Sequence, residues 1–103
     1  MMLFADDNRI CPNEAAYYIA RSCAAAIDLI AGNDFEYISL DYDFGYGMPT
    51  GLDILVWMKE HSKFPKEINI HSTHPFGSDR MRKYIKENFP ESISVTQGSA
   101  KCC

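Results

Sequence analysis

Short apolar runs alternating with helix-period segments predict a single α/β domain on a mostly parallel sheet. Two observations carry this. Apolar runs at 1–5, 35–40 and 68–70 each stop at an acidic or histidine-bearing end, Asp6-Asp7, Asp41-Tyr42-Asp43 and His71-Ser72. The stretches between them hold helix-period segments of about three turns, the length that right-handed crossovers between parallel strands require.

Residues 1–5 read as a buried first strand that opens into a polar loop containing Arg9, Pro12 and Asn13. Residues 15–20 mix alanines with Tyr17, Tyr18 and Ile19, and a strand is favoured over a helix start. Ser22 caps a helix whose alanines let it lie close to the sheet and which stops at Gly32-Asn33. Residues 35–40 form the next strand, followed by the glycine-rich loop FGYGMPTG. Thr50 and Asp53 have capping-box spacing for a helix that runs to His61. Trp57 is expected in the core. After a brief strand at 68–70, Ser78 is the expected cap of a helix carrying Met81, Tyr84, Ile85 and Phe89, and Pro90 stops it. Ile93, Val95 and Gln97 make a last strand. The domain is therefore drawn over 1–98, with 99–103 as a flexible tail.

With 103 residues, 47% of them hydrophobic, the chain has material for one core and not two. No stretch reaches the roughly 20 apolar residues of a membrane span, and Asp6 and Asp7 interrupt what a signal peptide would need to be apolar. A soluble cytoplasmic protein with no membrane partner is expected. The four cysteines lack metal-ligand spacing, in keeping with a reducing compartment. The net charge of −4 is uneven: residues 1–58 hold nine acids and two bases, and 59–103 hold eight bases and five acids. That balance argues against a broad nucleic-acid-binding surface but allows a basic wall beside an acidic pocket.

In a parallel α/β sheet, ligands bind beyond the carboxyl ends of the strands, where Asp6, Asp7, Asp41 and His71 gather. Carboxylates brought together repel unless a divalent cation or a shared proton intervenes, so Asp6, Asp7 and Asp41 are candidate ligands for Mg2+ or Mn2+. Asp7 alternatively faces water or caps a turn. Asp43 either shares the side of Asp41 or caps the loop. His71 and His74 can bring two imidazoles to one small ligand as proton donor and acceptor. Ser72 and Thr73 can donate to phosphate oxygens, amides near Gly77 and Ser78 favour an anion, and Arg9 and Arg80 supply charge. Arg21 serves as a phosphate contact or pairs with Asp6 or Asp7.

Four blocks, FADDNR at 4–9, ISLDYDFG at 38–45, TGLDILVWMKEH at 50–61 and IHSTHPFG at 70–77, together resemble the cyclic-phosphate processing receiver-like domain family, a variant of the response-regulator receiver fold. Asp6, Asp7, Arg9, Ser39, Asp41, Asp43, Gly45, His71, Ser72, Pro75 and Gly77 match the family's blocks. Asn8 replaces a glutamate, Tyr42 a histidine and His74 an asparagine. The resemblance implies a receiver-like (flavodoxin-like) three-layer sandwich with a five-stranded sheet in order 2-1-3-4-5 and a shortened first crossover. It also implies a phosphoesterase for cyclic phosphates such as nucleotides or RNA ends. In that reading Asp6, Asp41, His71 and His74 carry the chemistry, Arg9, Arg21, Ser72, Thr73 and Arg80 hold phosphate, and Asp43 and Thr50 support them. Two other readings stand beside it. One is a receiver module with Asp41 as phosphoacceptor, which lacks a clear lysine at the end of the last strand. The other is an inactive interaction domain using Tyr42, Phe44, Tyr46 and Phe76 as a contact patch.

Overall fold

Every strand expected from an apolar run is present, each four residues long: β1 Met2–Ala5, β2 Tyr17–Ala20, β3 Tyr37–Leu40, β4 Glu67–Ile70 and β5 Ser94–Gln97. The computed structural model describes residues 1–102. Three helices connect the strands, α1 Cys23–Gly32, α2 Gly51–Glu60 and α3 Pro75–Asn88. The sheet order is β2-β1-β3-β4-β5, with all four pairings parallel. The β1–β2 connection carries no helix, which is the shortened first crossover.

The alternation of side chains along the strands builds two cores. Leu3, Ala5, Ile38, Leu40, Ile68 and Ile70 share one parity and pack against Ala26, Ile30, Ile54, Leu55, Met81 and Ile85 of the three helices. The opposite parity supplies Phe4, Tyr17 and Tyr37, which pack with Cys11 and Ala100. The helices thus form one outer layer of the sandwich, the sheet the middle, and the β1–β2 connection with the segment after β5 the other. That last segment is tied to the sheet. Tyr17 donates its hydroxyl proton to the Lys101 carbonyl, the Lys101 amide donates to Tyr37 Oη at 3.2 Å, and Asn13 Nδ2 donates to the Cys102 carbonyl at 2.8 Å. Cys103, the end of the expected tail, lies outside the described residues.

The caps of α1 and α2 fall where the sequence places them. Ser22 accepts from the Ala25 amide at 3.1 Å, and the Asp53 carboxylate accepts from the Thr50 amide at 2.7 Å. Trp57 is half-buried against the main core and stacks on His61 with ring centroids 4.1 Å apart.

The start of α3 differs from the expectation. Its N-cap is His74, whose Nδ1 accepts from the Gly77 amide at 2.9 Å, and Pro75 occupies the first turn. Ser78 is buried inside the helix and donates its hydroxyl to the Ser72 carbonyl at 3.2 Å. Proline has a φ suited to the first helical position and no N–H to satisfy, so the helix begins earlier than a serine cap would put it.

Gly51 fixes how closely α2 meets the sheet. A Cβ there would lie 2.2 Å from the Asp41 carbonyl oxygen and 2.8 Å from Met81 Sδ. Its amide donates to the Tyr42 carbonyl at 2.9 Å, holding the chain just after Asp41. Gly51→Ala is expected to destabilise the domain by about 1–3 kcal/mol through overpacking and to shift the Asp41 backbone. Urea unfolding with an amide spectrum of the variant checks this, and an unshifted Asp41 amide would contradict it.

Candidate active site

The register of the sheet brings the acidic residues and the histidine together. Ala5 pairs with Leu40, and Leu40 with Ile70, so the next residues, Asp6, Asp41 and His71, stand side by side beyond three adjacent strands. The ladder continues one step further, with the Asp41 amide on the Ala5 carbonyl and the His71 amide on the Leu40 carbonyl, both at 3.0 Å. All three side chains have the parity opposite to the helix-facing core. They are buried, Asp6 fully, and Asp41 and His71 each 7% exposed.

Below them runs a buried chain of hydrogen bonds. His71 Nε2 lies 2.9 Å from Asp6 Oδ2, and His71 Nδ1 lies 2.6 Å from Ser39 Oγ. Ser39 accepts from Asn69 Nδ2 at 3.0 Å, and Asn69 Oδ1 accepts from Thr96 Oγ1 at 2.8 Å. Asp6 Oδ1 accepts the amides of Asn8 at 3.0 Å and Arg9 at 2.9 Å. An ionised Asp6 can only accept, so Nε2 carries the proton, and a neutral His71 then accepts the Ser39 hydroxyl at Nδ1. The His71 ring stacks on Phe4 with centroids 4.8 Å apart and planes 4° from parallel. Both ring nitrogens are therefore engaged within the protein.

The two carboxyls are driven apart electrostatically. Burial opposes ionisation of Asp6, but the Arg9 and Asn8 amides and His71 together outweigh it and hold its carboxyl below the ordinary 3.8. For Asp41, burial and the adjacent Asp6 charge push the carboxyl up, against the opposing Tyr42 amide. Burial pulls His71 below 6.5, with Asp6 opposing. At neutral pH the site holds a firmly ionised Asp6, a neutral His71 and an Asp41 that ionises reluctantly.

Asp41 opens into an acidic cavity of about 410 Å³, lined also by Asp7, Asp43 and His74 and rimmed by Arg9, Ser72 and Thr73. Arg9 spans this rim. Its guanidinium donates to the His71 carbonyl and to Thr73 Oγ1, and its Nε lies 3.9 Å from Asp6. Asp43 borders the cavity and also accepts the Gly45 amide at 2.9 Å, so it caps the loop.

Other expected residues stand elsewhere. Arg21 donates to the Asp6 and Arg9 carbonyls, fixing the loop backbone from outside the lining. Arg80 is exposed on α3, and Thr50 stays at the α2 cap. The anion cradle expected of the Gly77 and Ser78 amides is absent, because these amides donate to His74 Nδ1 and to the His74 carbonyl. Of the aromatic patch, Phe44 is buried and Tyr42 packs where a Gly77 side chain would be, while Tyr46 and Phe76 are exposed.

The donor set fits a divalent cation in part. Asp6, Asp41 and His71 offer ligand atoms within 4.8 Å of one another. His71 takes the place expected of Asp7, which lies on the cavity wall. Because His71 Nε2 is committed to Asp6, the hard carboxylate oxygens are the better ligands, and a cation would offset the Asp6 charge that adds to burial in raising the Asp41 carboxyl. No lysine lines the acidic cavity among the described residues. Lys101 lies over the Tyr37 ring and pairs with Glu67 at 3.7 Å, at the amino ends of β3 and β4.

Of the residues in this chain of bonds, Ser39 enters from sequence only as a match to a family block, with no role, and Asn69 does not enter at all. Ser39 has the same parity as Asp41, and Asn69 is a polar residue between Ile68 and Ile70 in an otherwise apolar strand. A buried polar position inside such a run signals a required hydrogen-bond partner.

A family model described as Cyclic-phosphate processing Receiver domain matches residues 1–87, which include Asp6, Ser39, Asp41, Asn69 and His71. Neither the curated proteins nor the solved structures yield a match. No described helix is long and apolar enough to cross a membrane.

Proposed function

We propose that this chain, which belongs to the cyclic-phosphate processing receiver domain family, hydrolyses a cyclic phosphodiester to a phosphomonoester on a nucleotide or an RNA end. The observation that carries the reading is the buried carboxyl pair. Asp6 is held ionised by two amides and His71, and beside it Asp41 resists ionisation and opens to a cavity rimmed by Arg9, Ser72 and Thr73.

In this reading Arg9, Ser72 and Thr73 hold the phosphate oxygens. Asp41, in its ionised form, takes a proton from a water in the acidic cavity as the water oxygen bonds to phosphorus. The ring P–O bond on the far side of phosphorus breaks, its oxygen takes a proton from bulk water and becomes a hydroxyl, and Asp41 returns its own proton to bulk water, so one water is consumed and the carboxylate is restored. The leaving oxygen stays tethered to the product, and its protonation prevents it from closing the ring again. His71 acts through Asp6 and touches no reacting atom. Asp6 and Asp41, with Asp7 on the wall, would hold a magnesium or manganese ion, which when bound offsets charge on the phosphate oxygens.

The test is incubation with a nucleoside 2′,3′-cyclic phosphate and with a cyclic-phosphate-ended oligonucleotide in ¹⁸O water, with and without Mg2+ or Mn2+. A phosphomonoester carrying one ¹⁸O is expected. No monoester from either substrate under any condition would sink the proposal. A phosphoryl group on Asp41 after exposure to acetyl phosphate would instead favour the phosphoacceptor reading.

A further inference from the structure

The rim formed by Arg9, Ser72 and Thr73 is shared with a second cavity of about 560 Å³, on the flank away from Asp41. We propose that this cavity is the subsite for a ribonucleoside, the organic part of the cyclic phosphate, and this inference rests on the hydrolase reading above. In an in-line displacement the attacking and leaving oxygens lie on opposite sides of phosphorus. Asp41 borders only the acidic cavity, so the water arrives there. With phosphorus on the shared rim, the leaving sugar oxygen, and the sugar with it, belongs on the other flank.

The lining suits a neutral organic group. No carboxylate borders the second cavity and Arg9 is its only formally charged residue, in contrast with the acidic cavity beside it. A neutral group attached to a phosphate meets no repulsion there. Phe4, Pro12 and Ala100 give it apolar surface, and Ile10, 87% exposed, stands at its edge. An aliphatic side chain so exposed next to a cavity supplies a face on which a planar base can rest. The opposite wall is polar: Gln97, Gly98 and Ser99 follow one another around a turn in which Gly98 has a φ of +124°. Glycine alone adopts this turn without strain; its amide and carbonyl are held by the Ile70 carbonyl and Asn69 Nδ2, so what the turn offers the edges of a base or sugar hydroxyls is the exposed side chains of Gln97 and Ser99. The volume is in the range of small-molecule sites and too large for a simple polyol to fill.

The experiment compares adenosine 2′,3′-cyclic phosphate with glycerol 1,2-cyclic phosphate, which has the same reacting ring and no base. Ile10→Ser removes the apolar face without adding charge, at a position too exposed to disturb folding. It is expected to raise KM for the adenosine substrate about 10-fold and to leave the glycerol substrate unchanged. In parallel, amide spectra of wild type titrated with adenosine 2′,3′-cyclic phosphate should show shifts at Ile10, Gly98, Ser99 and Ala100. Equal effects of Ile10→Ser on both substrates would overturn the subsite, as would shifts confined to residues 41–47 and 74–75 or no shifts at all. Shifts at Ile10 and Gly98 with no turnover of either substrate would support the subsite while removing the hydrolase reading.

Discussion

Asp41→Asn is expected to lower cyclic-phosphate turnover about 10²- to 10⁴-fold and, at neutral pH without added cation, to make the folded domain more stable. The two effects have one cause. Burial and the Asp6 charge raise the Asp41 carboxyl above its ordinary 3.8. A carboxyl raised in the folded state binds its proton more tightly there than in the unfolded chain, so its ionisation costs stability. The cost is absent below pH 3.8, grows as pH rises through the folded value, and is fully present above it. An asparagine of the same shape never bears it. A gain of about 0.5–2 kcal/mol is expected, which for a domain of this size is a melting-temperature rise of several degrees. The gain should shrink as pH falls from the raised folded value towards 3.8 and vanish below it. Mg2+ should raise the melting temperature of wild type and leave the variant unmoved if the pair takes a cation. Thermal unfolding across pH checks the account, and a variant destabilised at neutral pH would contradict it.

How much of this site could be read from sequence follows from two periodicities. Strand alternation and parallel crossovers place Asp6, Asp41 and His71 at one edge once the strands are located, because each ends its own apolar run. What the periodicities cannot supply is the partner of each polar atom. His71 reads as an open proton carrier from its position alone, yet its two nitrogens are taken by Asp6 and by Ser39 from the neighbouring strand. The role of Ser39, and Asn69 altogether, were hidden because their partners are distant in sequence, 32 residues from Ser39 to His71 and 27 from Asn69 to Thr96. His74 and Arg21 resembled substrate contacts by residue type. His74 Nδ1 caps α3 while the residue also lines the acidic cavity, and Arg21 bonds the backbone of the Asp6 loop from outside that lining. A polar side chain beside a turn can bond the backbone as readily as a ligand, and only geometry separates the two uses.

His71→Ala carries the largest expected loss of stability, about 3–5 kcal/mol. The substitution removes a buried ring stacked on Phe4 and strips Asp6 of one donor and Ser39 of its acceptor, leaving two buried polar groups short of partners. A small domain has only about 5–15 kcal/mol to lose, so a fall in melting temperature of more than about 10 °C is expected. The pH dependence has a definite sign. His71 is lowered below 6.5 in the folded state by burial, with Asp6 opposing, so the unfolded chain takes up the proton first. Wild type therefore loses stability as pH falls through 6.5, and loses more as Asp6, lowered below 3.8, is forced to protonate. The alanine variant lacks the first of these steps, and the gap between the two proteins should narrow below pH 6.5. Because the alanine variant is too unstable for a clean kinetic reading, His71→Gln separates positioning from proton transfer. Its amide can donate to Asp6 but cannot carry a proton, so if His71 acts only through Asp6 the variant should stay folded and lose about 10-fold in turnover. Imidazole ¹⁵N spectra of wild type should show the proton on Nε2 and a bare Nδ1. A stable His71→Gln variant with turnover down 10³-fold or more would return the proton-carrying role to His71 and remove it from Asp41.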